Sequence, residues 1–341
     1  MPDDLRIPTF VLTGFLGSGK TTILKHLVSL EEMRDTALVI NEFGEIALDH
    51  HLVSDAREDM MVLGSGCVCC SVRNDLVRAM CDLWVKAARR EIPRFRRVII
   101  ETTGLADPTP VLTTLAKNGL VTHAYRLGAI VATVDGQNGD RNFERHPESI
   151  KQAAMADRIV LTKADLISAS ERARLEARIR EIQQLAPIVE STNGRIGPHD
   201  LFGDGTSDHL RFFRLPLVDD DPEQAREHHD HAHGDSVRTF SIVLEGAVSF
   251  DRFALWLSMM TQFHGDQLLR VKGLLRVDDD DRPVVIQSVQ HVVYRTESLP
   301  RWPDEDRRSR LVFIARGLEG TMVEQIRSSL RELVVPPAAS A

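Results

Sequence analysis

Residues 14–21 read Gly14-Phe15-Leu16-Gly17-Ser18-Gly19-Lys20-Thr21, which matches the pattern G-x-x-x-x-G-K-[ST] at every fixed position. An apolar run over residues 10–13 precedes the motif and a helical pattern follows it, which is the strand–loop–helix setting that the motif requires. Glycines here let successive backbone N–H groups turn toward phosphate oxygens at the positive end of a helix. A chance glycine-rich turn would not explain this setting, so we predict a nucleotide-phosphate loop.

The polar residues of this loop have separate expected roles. Lys20 supplies a positive charge to the β- and γ-phosphates, and Thr21 offers its hydroxyl to Mg²⁺, which prefers oxygen ligands. The sequence therefore predicts a nucleoside triphosphate and Mg²⁺ as the bound groups. The predicted nucleotide-contacting residues of the loop are Gly14, Gly17, Ser18, Gly19, Lys20, Thr21 and Thr22.

A second motif, Thr162-Lys163-Ala164-Asp165, follows a strand candidate at residues 158–161 and resembles the N/T-K-x-D guanine-recognition motif. A carboxylate at Asp165 can accept both N1–H and N2–H₂ of guanine, whereas adenine presents no such pair of donors. Lys163 would lay its stem on the plane of the base. The alternative is that Asp165 caps the helix that follows. The position after a strand favours GTP, with Thr162, Lys163 and Asp165 at the base.

A third candidate is the strand end Glu101-Thr102-Thr103-Gly104. Carboxylates at the carboxyl ends of parallel strands face the crevice where ligands bind. Glu101 can hold Mg²⁺ through water or orient the attacking water, and Gly104 can offer its backbone N–H to the γ-phosphate. An incidental strand-end acid is the alternative. We predict Lys20, Thr21, Glu101 and Gly104 as the catalytic residues.

Three of the four cysteines, Cys67, Cys69 and Cys70, lie within four positions and follow two glycines that allow the backbone to bend. Thiolates prefer soft or borderline ions such as Zn²⁺ and Cu(I), with Co²⁺ and Ni²⁺ also suitable. Three sulfurs leave a fourth position for exchange, which suits metal transfer. A buried cysteine patch or a disulfide is the alternative. We predict that the fourth, Cys81, lies on a helix in the core.

A segment rich in Asp, His, Gly and Pro spans residues 203–235 and reads as a linker with a short strand at residues 212–218. It contains four imidazoles within six positions, a composition that suits zinc, copper, nickel or cobalt. A loosely binding metal collector and a solvated linker are equally good interpretations. The candidate ligands are His228, His229, His231 and His233.

Composition excludes several functional classes. The chain has 341 residues and a net charge of −8, which disfavours nucleic-acid binding. No apolar run approaches the length of about 20 residues that crosses a bilayer. The first strand candidate begins within ten residues of Met1, too early for a secretory signal. We expect a cytoplasmic protein without nucleic-acid or membrane partners.

Strand and helix patterns alternate through the first two thirds of the chain, which predicts an α/β fold. We expect a P-loop NTPase-type, mostly parallel sheet with helices on both faces, then a smaller C-terminal α+β domain. The predicted boundaries are 1–203, a linker over 204–236, and 237–335. Strand candidates in the first domain are residues 9–13, 37–41, 60–63, 98–101, 129–134, 158–161 and 188–190, with helices at 21–30, 74–90, 110–117 and 168–185. In the second domain, strands are expected at 238–244, 268–277, 284–293 and 310–315, with helices at 251–263 and 321–333.

These motifs together resemble the CobW-type GTPases. The resemblance includes Asn41-Glu42-Phe43-Gly44-Glu45 and, in the C-terminal part, Leu269-Arg270-Val271-Lys272-Gly273-Leu274 and Arg301-Trp302-Pro303. It covers almost the whole chain and implies a metallochaperone or insertase for zinc, cobalt or the metal of nitrile hydratase. By motif position it makes Cys67, Cys69 and Cys70 the transfer ligands and places Glu42 at the border of that site. Ala47 stands where many relatives have Gly.

The sequence thus predicts a GTP-hydrolysing metallochaperone that passes a transition metal to a client metalloprotein. Zinc is the most favoured metal, because thiolates and imidazoles suit it and because the resemblance most often implies it. Cobalt handling for cobalamin or nitrile hydratase maturation and a non-enzymatic zinc store are the alternatives. A GTPase with structural zinc and an ATP-driven enzyme are further rivals. The metal, the client and the oligomeric state, a homodimer included, stay open.

Overall fold

The computed structural model describes residues 5–41, 62–64, 72–203, 237–278 and 280–335. The chain divides into two compact units, the first of Met1–Arg180 and Leu185–Gly205 and the second of Glu181–Gln184 and Thr206–Ala341. The predicted linker over 204–236, with its strand at 212–218, lies outside the described residues, as do residues 60–61 of one strand candidate. No helix in the described ranges has both the length and the apolar character needed to cross a bilayer.

The described part of the first unit contains one parallel sheet of seven strands. The strands lie in the order β3-β2-β4-β1-β5-β6-β7, and every neighbouring pair is parallel. They are β1 (Ile7–Gly14), β2 (Thr36–Asn41), β3 (Val62–Gly64), β4 (Arg97–Thr102), β5 (Tyr125–Asp135), β6 (Arg158–Thr162) and β7 (Ile188–Ser191). The predicted strands agree with these, and the predicted fold class is confirmed.

In the described residues, helices lie between β1 and β2 and between each successive pair of strands from β3 to β7, as parallel pairing requires, and one more follows β7. They are α1 (Lys20–Ser29), α2 (Val72–Ala88), α3 (Thr109–Lys117), α4 (Gly119–Ala124), α5 (Gly139–Arg145), α6 (Pro147–Met155), α7 (Ala169–Ile182) and α8 (Pro198–Phe202). Sequence periodicity predicts the first three and α7. It misses α4, α5 and α8, whose five to seven residues complete too few turns to show it. It also misses α6, although α6 has nine residues like α3. Cys81 lies on α2 as expected but is half-buried, so its predicted place in the core is wrong.

The sheet is covered on both faces, which explains its continuous apolar strands. Every residue of β6 is buried, and β4 is buried from Val98 onward. Leu12, Ile23, Leu38, Ile99 and Val160 pack in one core cluster with residues of α1 and α8. Because all strands are parallel, their carboxyl ends meet at one edge, and the motifs that follow β1, β4 and β6 come together there.

The second unit is a smaller α+β structure. Its sheet, as far as the described residues extend, has the order β11-β10-β9-β13-β8 with β12 paired to β10, all antiparallel. The strands are β8 (Val237–Leu244), β9 (Leu268–Val277), β10 (Asp280–Val289), β11 (Val292–Val293), β12 (Glu297–Ser298) and β13 (Ser309–Arg316), and the helices are α9 (Phe250–His264) and α10 (Gly320–Arg331). The single strand expected over 284–293 is instead a hairpin, because Gln290 has a φ of 48° and turns the chain.

Candidate nucleotide-binding site

The phosphate loop begins where β1 ends and closes at the first residue of α1. Gly14 has a φ of +141° and Gly19 a φ of +91°, backbone conformations that side chains rarely adopt. A Cβ at Gly14 would lie 2.1 Å from Thr133 Oγ1 on β5, so the chain passes too close for any larger residue. The loop therefore presents backbone rather than side chains, as a phosphate cradle requires.

Lys20 is held over this loop by backbone oxygens. Its Nζ donates to the carbonyl of Gly14 at 2.8 Å and to that of Phe15 at 3.2 Å, and the side chain is 8% exposed. The ammonium group is thus fixed beside the loop's N–H groups, at the N-terminus of α1. Both features favour an anion at this place.

Thr21 and Glu101 bring two oxygen ligands together. The Thr21 hydroxyl donates to Glu101 Oε1 at 3.2 Å, and Glu101 is 7% exposed at the end of β4. The neighbouring Thr102 hydroxyl donates to Thr13 Oγ1 at 2.9 Å, which ties β4 to β1 just before the loop. A hydroxyl and a buried carboxylate side by side are the donor types that Mg²⁺ prefers, so these residues fit the expected ion.

Gly104 lies against the phosphate loop. A Cβ added to Gly104 would lie 2.6 Å from the backbone nitrogen of Leu16, so the two backbones are in close contact. The segment after β4 therefore reaches the loop only because residue 104 is a glycine. The structure thus brings Lys20, Thr21, Glu101 and Gly104, which the sequence predicts as catalytic, to one region.

The Thr162–Asp165 motif packs against the phosphate loop. The Thr162 hydroxyl donates to the carbonyl of Ser18 at 2.8 Å, and Lys163 Nζ donates to the carbonyl of Gly17 at 2.9 Å. Lys163 has a left-handed φ of 56°, and Asp165 is exposed. Both contacts attach the motif to the loop, and Asp165 follows them two residues after Lys163 with its side chain exposed.

The cap of α7 is formed by other residues. Ser168 Oγ accepts from the backbone N–H of Glu171, while Glu171 Oε2 accepts from the backbone N–H of Ser168 at 2.8 Å, a reciprocal capping box. The capping role that the sequence left open for Asp165 is therefore filled.

Asp135 is a residue that the sequence analysis missed. It ends β5, is 3% exposed, and its Oδ2 lies 2.7 Å from Lys163 Nζ. Burial alone would raise the pKa of Asp135, but hydrogen bonds from Lys163, Asn138 and the backbone of Gln137, with the charge of Lys163, hold that pKa below its ordinary value. The ionised carboxylate thereby orients the lysine stem. An acid at the end of a buried strand, the signal used for Glu101, would have found it.

A second missed element is the turn after β7. Gly194 has a φ of +75°, and a Cβ there would lie 2.6 Å from the carbonyl oxygen of Thr22 on α1. The turn therefore rests on the first turn of the phosphate-loop helix. The pair Asn193-Gly194 is a turn signal that was readable from the sequence.

The predicted transition-metal ligands fall outside the described residues. These are Cys67, Cys69, Cys70, Glu42, His228, His229, His231 and His233. In the ranges that the structure describes, no group of three or more His, Cys, Asp or Glu side chains is placed to hold a metal ion.

A parallel sheet, a phosphate loop after its first strand and a Thr-Lys-x-Asp motif after β6 define the class of P-loop nucleotide-binding proteins. The family described as CobW/HypB/UreG, nucleotide-binding domain, matches residues 8–190, more than half of the chain. The Cobalamin synthesis protein cobW C-terminal domain matches residues 237–334. The chain therefore belongs to the CobW/HypB/UreG family, which confirms the resemblance seen in the sequence.

Relatives match this chain over almost its whole length. A protein of Escherichia coli strain K12 named Zinc chaperone YjiA is 31% identical over 328 residues, 96% of this chain and 99% of the relative. A Pseudomonas aeruginosa protein named Zinc chaperone CobW is 28% identical over 95% of this chain and 92% of its own. The crystal structure of Zn(II)-bound YjiA GTPase from E. coli has a TM-score of 0.68 at 26% identity, covering 96% of this chain and 99% of that one.

Proposed function

We propose that this protein is a GTP-hydrolysing metallochaperone that binds zinc at Cys67, Cys69 and Cys70 and transfers it to a client metalloprotein. The observation that carries the proposal is the whole-length similarity to a protein named a zinc chaperone, whose Zn(II)-bound form is named a GTPase. A Schizosaccharomyces pombe protein named Zinc-regulated GTPase metalloprotein activator 1 adds support, at 32% identity over 56% of this chain and 47% of its own.

Guanine is the base that the proposal assigns to the nucleotide. The Asp165 carboxylate would pair with the two guanine donors, and Asp135 holds Lys163 so that its stem can cover the base. ATP would leave the carboxylate without these partners, which disfavours it. The ATP-driven alternative is therefore the weaker one.

Hydrolysis would take place between the phosphate loop and the end of β4. Lys20 and the loop N–H groups bind the phosphates, while the Glu101 carboxylate orients the attacking water or accepts its proton. Mg²⁺, when held by the Thr21 hydroxyl and through water by Glu101, would neutralise charge that develops on the phosphate oxygens. The Gly104 N–H is the expected contact of the γ-phosphate, so this backbone group would report whether GTP or GDP is bound.

Metal binding would be coupled to whether GTP or GDP occupies the site. GTP orders the segments around the site and gives the three thiolates their metal-binding geometry. Loss of the γ-phosphate then weakens metal binding by the thiolates and favours transfer. Since coupling is reciprocal, zinc must also tighten GTP binding, by roughly 5–150-fold for a coupling of 1–3 kcal/mol. Glu42 borders the thiol site in this proposal, and the four histidines of 228–233 supply it with loosely held metal.

The test is zinc affinity measured by competition with a chromophoric chelator, in the presence of a non-hydrolysable GTP analogue and then of GDP. We expect tighter binding with the analogue, and loss of that tight site when Cys67, Cys69 and Cys70 are replaced by serine. Replacing Cys81 by serine is the matched control, because it removes a thiol elsewhere on the chain and should leave the tight site intact. Equal affinities with the two nucleotides would instead indicate a simple zinc store.

Cobalt handling is the second candidate. It shares the thiol chemistry, because Co²⁺ also accepts sulfur and nitrogen ligands. The same titration with Co²⁺ decides between the two ions: the proposal requires that zinc, and not cobalt, shows the larger dependence on the nucleotide.

A further inference from the structure

The segment after β4 is attached to α6 by one buried side chain. Gln152 is 1% exposed, and its Nε2 donates to the carbonyl of Gly104 at 3.2 Å and to the carbonyl of Ala106 at 3.1 Å. Both acceptors are backbone carbonyls, so the amide can bond them only with its nitrogen turned toward the loop. The orientation of the side chain is therefore determined by the loop that it holds.

This orientation leaves the other end of the amide unmatched. Gln152 Oε1 is buried and has no hydrogen-bond partner among the described residues. An unmatched buried acceptor is destabilising, so an apolar side chain of the same length would suit the packing of α6 better. The contribution of the amide thus lies in its two bonds to residues 104–106 and not in the stability of the helix.

Gly104 has two contacts, one with the phosphate loop and one with α6. Its Cα lies against the backbone of Leu16 in the phosphate loop, where a Cβ would meet the Leu16 nitrogen at 2.6 Å. Its carbonyl oxygen accepts a hydrogen bond from Gln152 Nε2 on α6. Further along the same segment, Asp107 Oδ2 lies 2.6 Å from Nζ of Lys151, which is also on α6. Helix α6 therefore sets the position of the whole segment.

We propose that Gln152 is a positioning residue that keeps Gly104 at the phosphate loop and thereby sets how strongly the site distinguishes GTP from GDP. This inference rests on the proposed function, in which the Gly104 N–H contacts the γ-phosphate. Glycine has wide backbone freedom, so without the two bonds residue 104 populates further conformations. A nucleotide that needs the N–H in place then binds more weakly. GDP lacks the γ-phosphate and depends on the phosphate loop, and the hydrogen bonds of Gln152 go instead to the carbonyls of Gly104 and Ala106.

The test is Gln152→Met, which keeps the length of the side chain and removes both hydrogen bonds. Affinities for a non-hydrolysable GTP analogue and for GDP are measured by isothermal titration, with the thermal midpoint as the readout of folding. We expect the affinity for the analogue to fall about ten-fold, as the loss of two modest hydrogen bonds implies, and that for GDP to change less than about two-fold. The thermal midpoint should move little, because the unmatched oxygen is removed as well.

Ser149→Ala is the matched control on the same helix. Ser149 Oγ also contacts two backbone carbonyls, of Asn142 at 2.9 Å and His146 at 2.8 Å, but neither belongs to the segment after β4. This variant should lower the thermal midpoint and leave the ratio of the two affinities unchanged.

Two results would overturn the inference without affecting the proposed function. They are an unchanged ratio of the two affinities in Gln152→Met, an equal loss of both nucleotides included, and a ratio changed as much by Ser149→Ala. Failure of the wild-type protein to bind the GTP analogue would overturn both.

Discussion

The Thr21 hydroxyl lies 3.2 Å from Glu101 Oε1, which joins the first turn of α1 to the carboxyl end of β4. The two residues are 80 positions apart in the chain, and the contact forms because β4 is a direct neighbour of β1 in the sheet. The contact therefore brings together two oxygen groups suited to an expected Mg²⁺, and one of them, Glu101, is also the proposed catalytic carboxylate.

Replacing the carboxylate of Glu101 should slow hydrolysis with little effect on binding. Glu101→Gln keeps the size of the side chain but removes the negative charge that takes up or orients a proton, so we expect GTP turnover to fall by roughly 10²-fold. Phosphate release under single-turnover conditions measures this, and GDP affinity should stay within about two-fold.

Glu190→Gln is the control for that variant. Glu190 is also near the end of a parallel strand, but it pairs with Arg172 at 2.9 Å and has no contact with Thr21. Its replacement should leave turnover unchanged. Equal turnover in Glu101→Gln and the wild type would show that Glu101 has no catalytic role.

The preference for guanine should depend on Asp165. Asp165→Asn replaces an acceptor for two donors with an amide that offers one acceptor, so GTP affinity should fall by roughly 5–150-fold, the equivalent of 1–3 kcal/mol. Competition of ATP against GTP on the variant and the wild type measures the change in preference.

Glu171→Gln provides the comparison for Asp165→Asn. Glu171 is a nearby exposed carboxylate, but its partner is Ser168 in the cap of α7. This substitution should leave the order of nucleotides as it is. If Asp165→Asn also leaves it so, the base is recognised by another group.

The ion pair of Asp135 with Lys163 should make stability depend on acid pH. The pKa of Asp135 in the folded protein lies below its ordinary value of 3.8, because the bonds from Lys163, Asn138 and the Gln137 backbone outweigh the effect of burial. A depressed folded-state pKa stabilises the protein above the unfolded-state pKa, and this contribution is lost as the pH falls through the folded-state value.

The measurement compares wild type with Asp135→Asn by chemical denaturation at several pH values. The wild type should be the more stable from neutral pH down to about pH 4, and its advantage should shrink below that. An advantage that is constant over the whole range would mean that the carboxylate charge of Asp135 does not contribute.

Two glycines of the phosphate loop should respond very differently to alanine. At Gly14 the new Cβ would lie 2.1 Å from Thr133 Oγ1 and 2.6 Å from the Thr133 carbonyl, so the backbone itself must shift. At Gly17, with a φ of +72°, the added Cβ meets no atom within 4 Å. Gly17→Ala should therefore cost only the strain of a positive φ, about 1–2 kcal/mol, whereas Gly14→Ala should cost more and abolish nucleotide binding.

Denaturant unfolding and fluorescent-nucleotide binding of the two variants test this expectation. Equal losses in both would mean that the close approach of β5 to the loop does not limit residue 14.

The places where sequence reasoning failed share a cause. Gln152 belongs to no motif, and its role depends on Gly104, which is 48 positions away. Asp135 was readable as a strand-end acid, but its partner Lys163 lies 28 positions further on, and only the pairing of β5 with β6 brings them together. Cys81 was expected in the core because periodicity indicates a helix but not how deeply each of its positions is covered.

The amino-acid sequence by itself determined the phosphate loop, the Thr162–Asp165 motif and most strands, because these depend on contacts between near neighbours in the chain. Glycine freedom, the alternation of apolar residues and the spacing of a motif are all local properties. The tertiary structure alone decided that β1 lies between β4 and β5, and therefore which side chains meet at the carboxyl edge. The order of strands depends on which distant segments pair, a condition on the whole domain that no single segment contains.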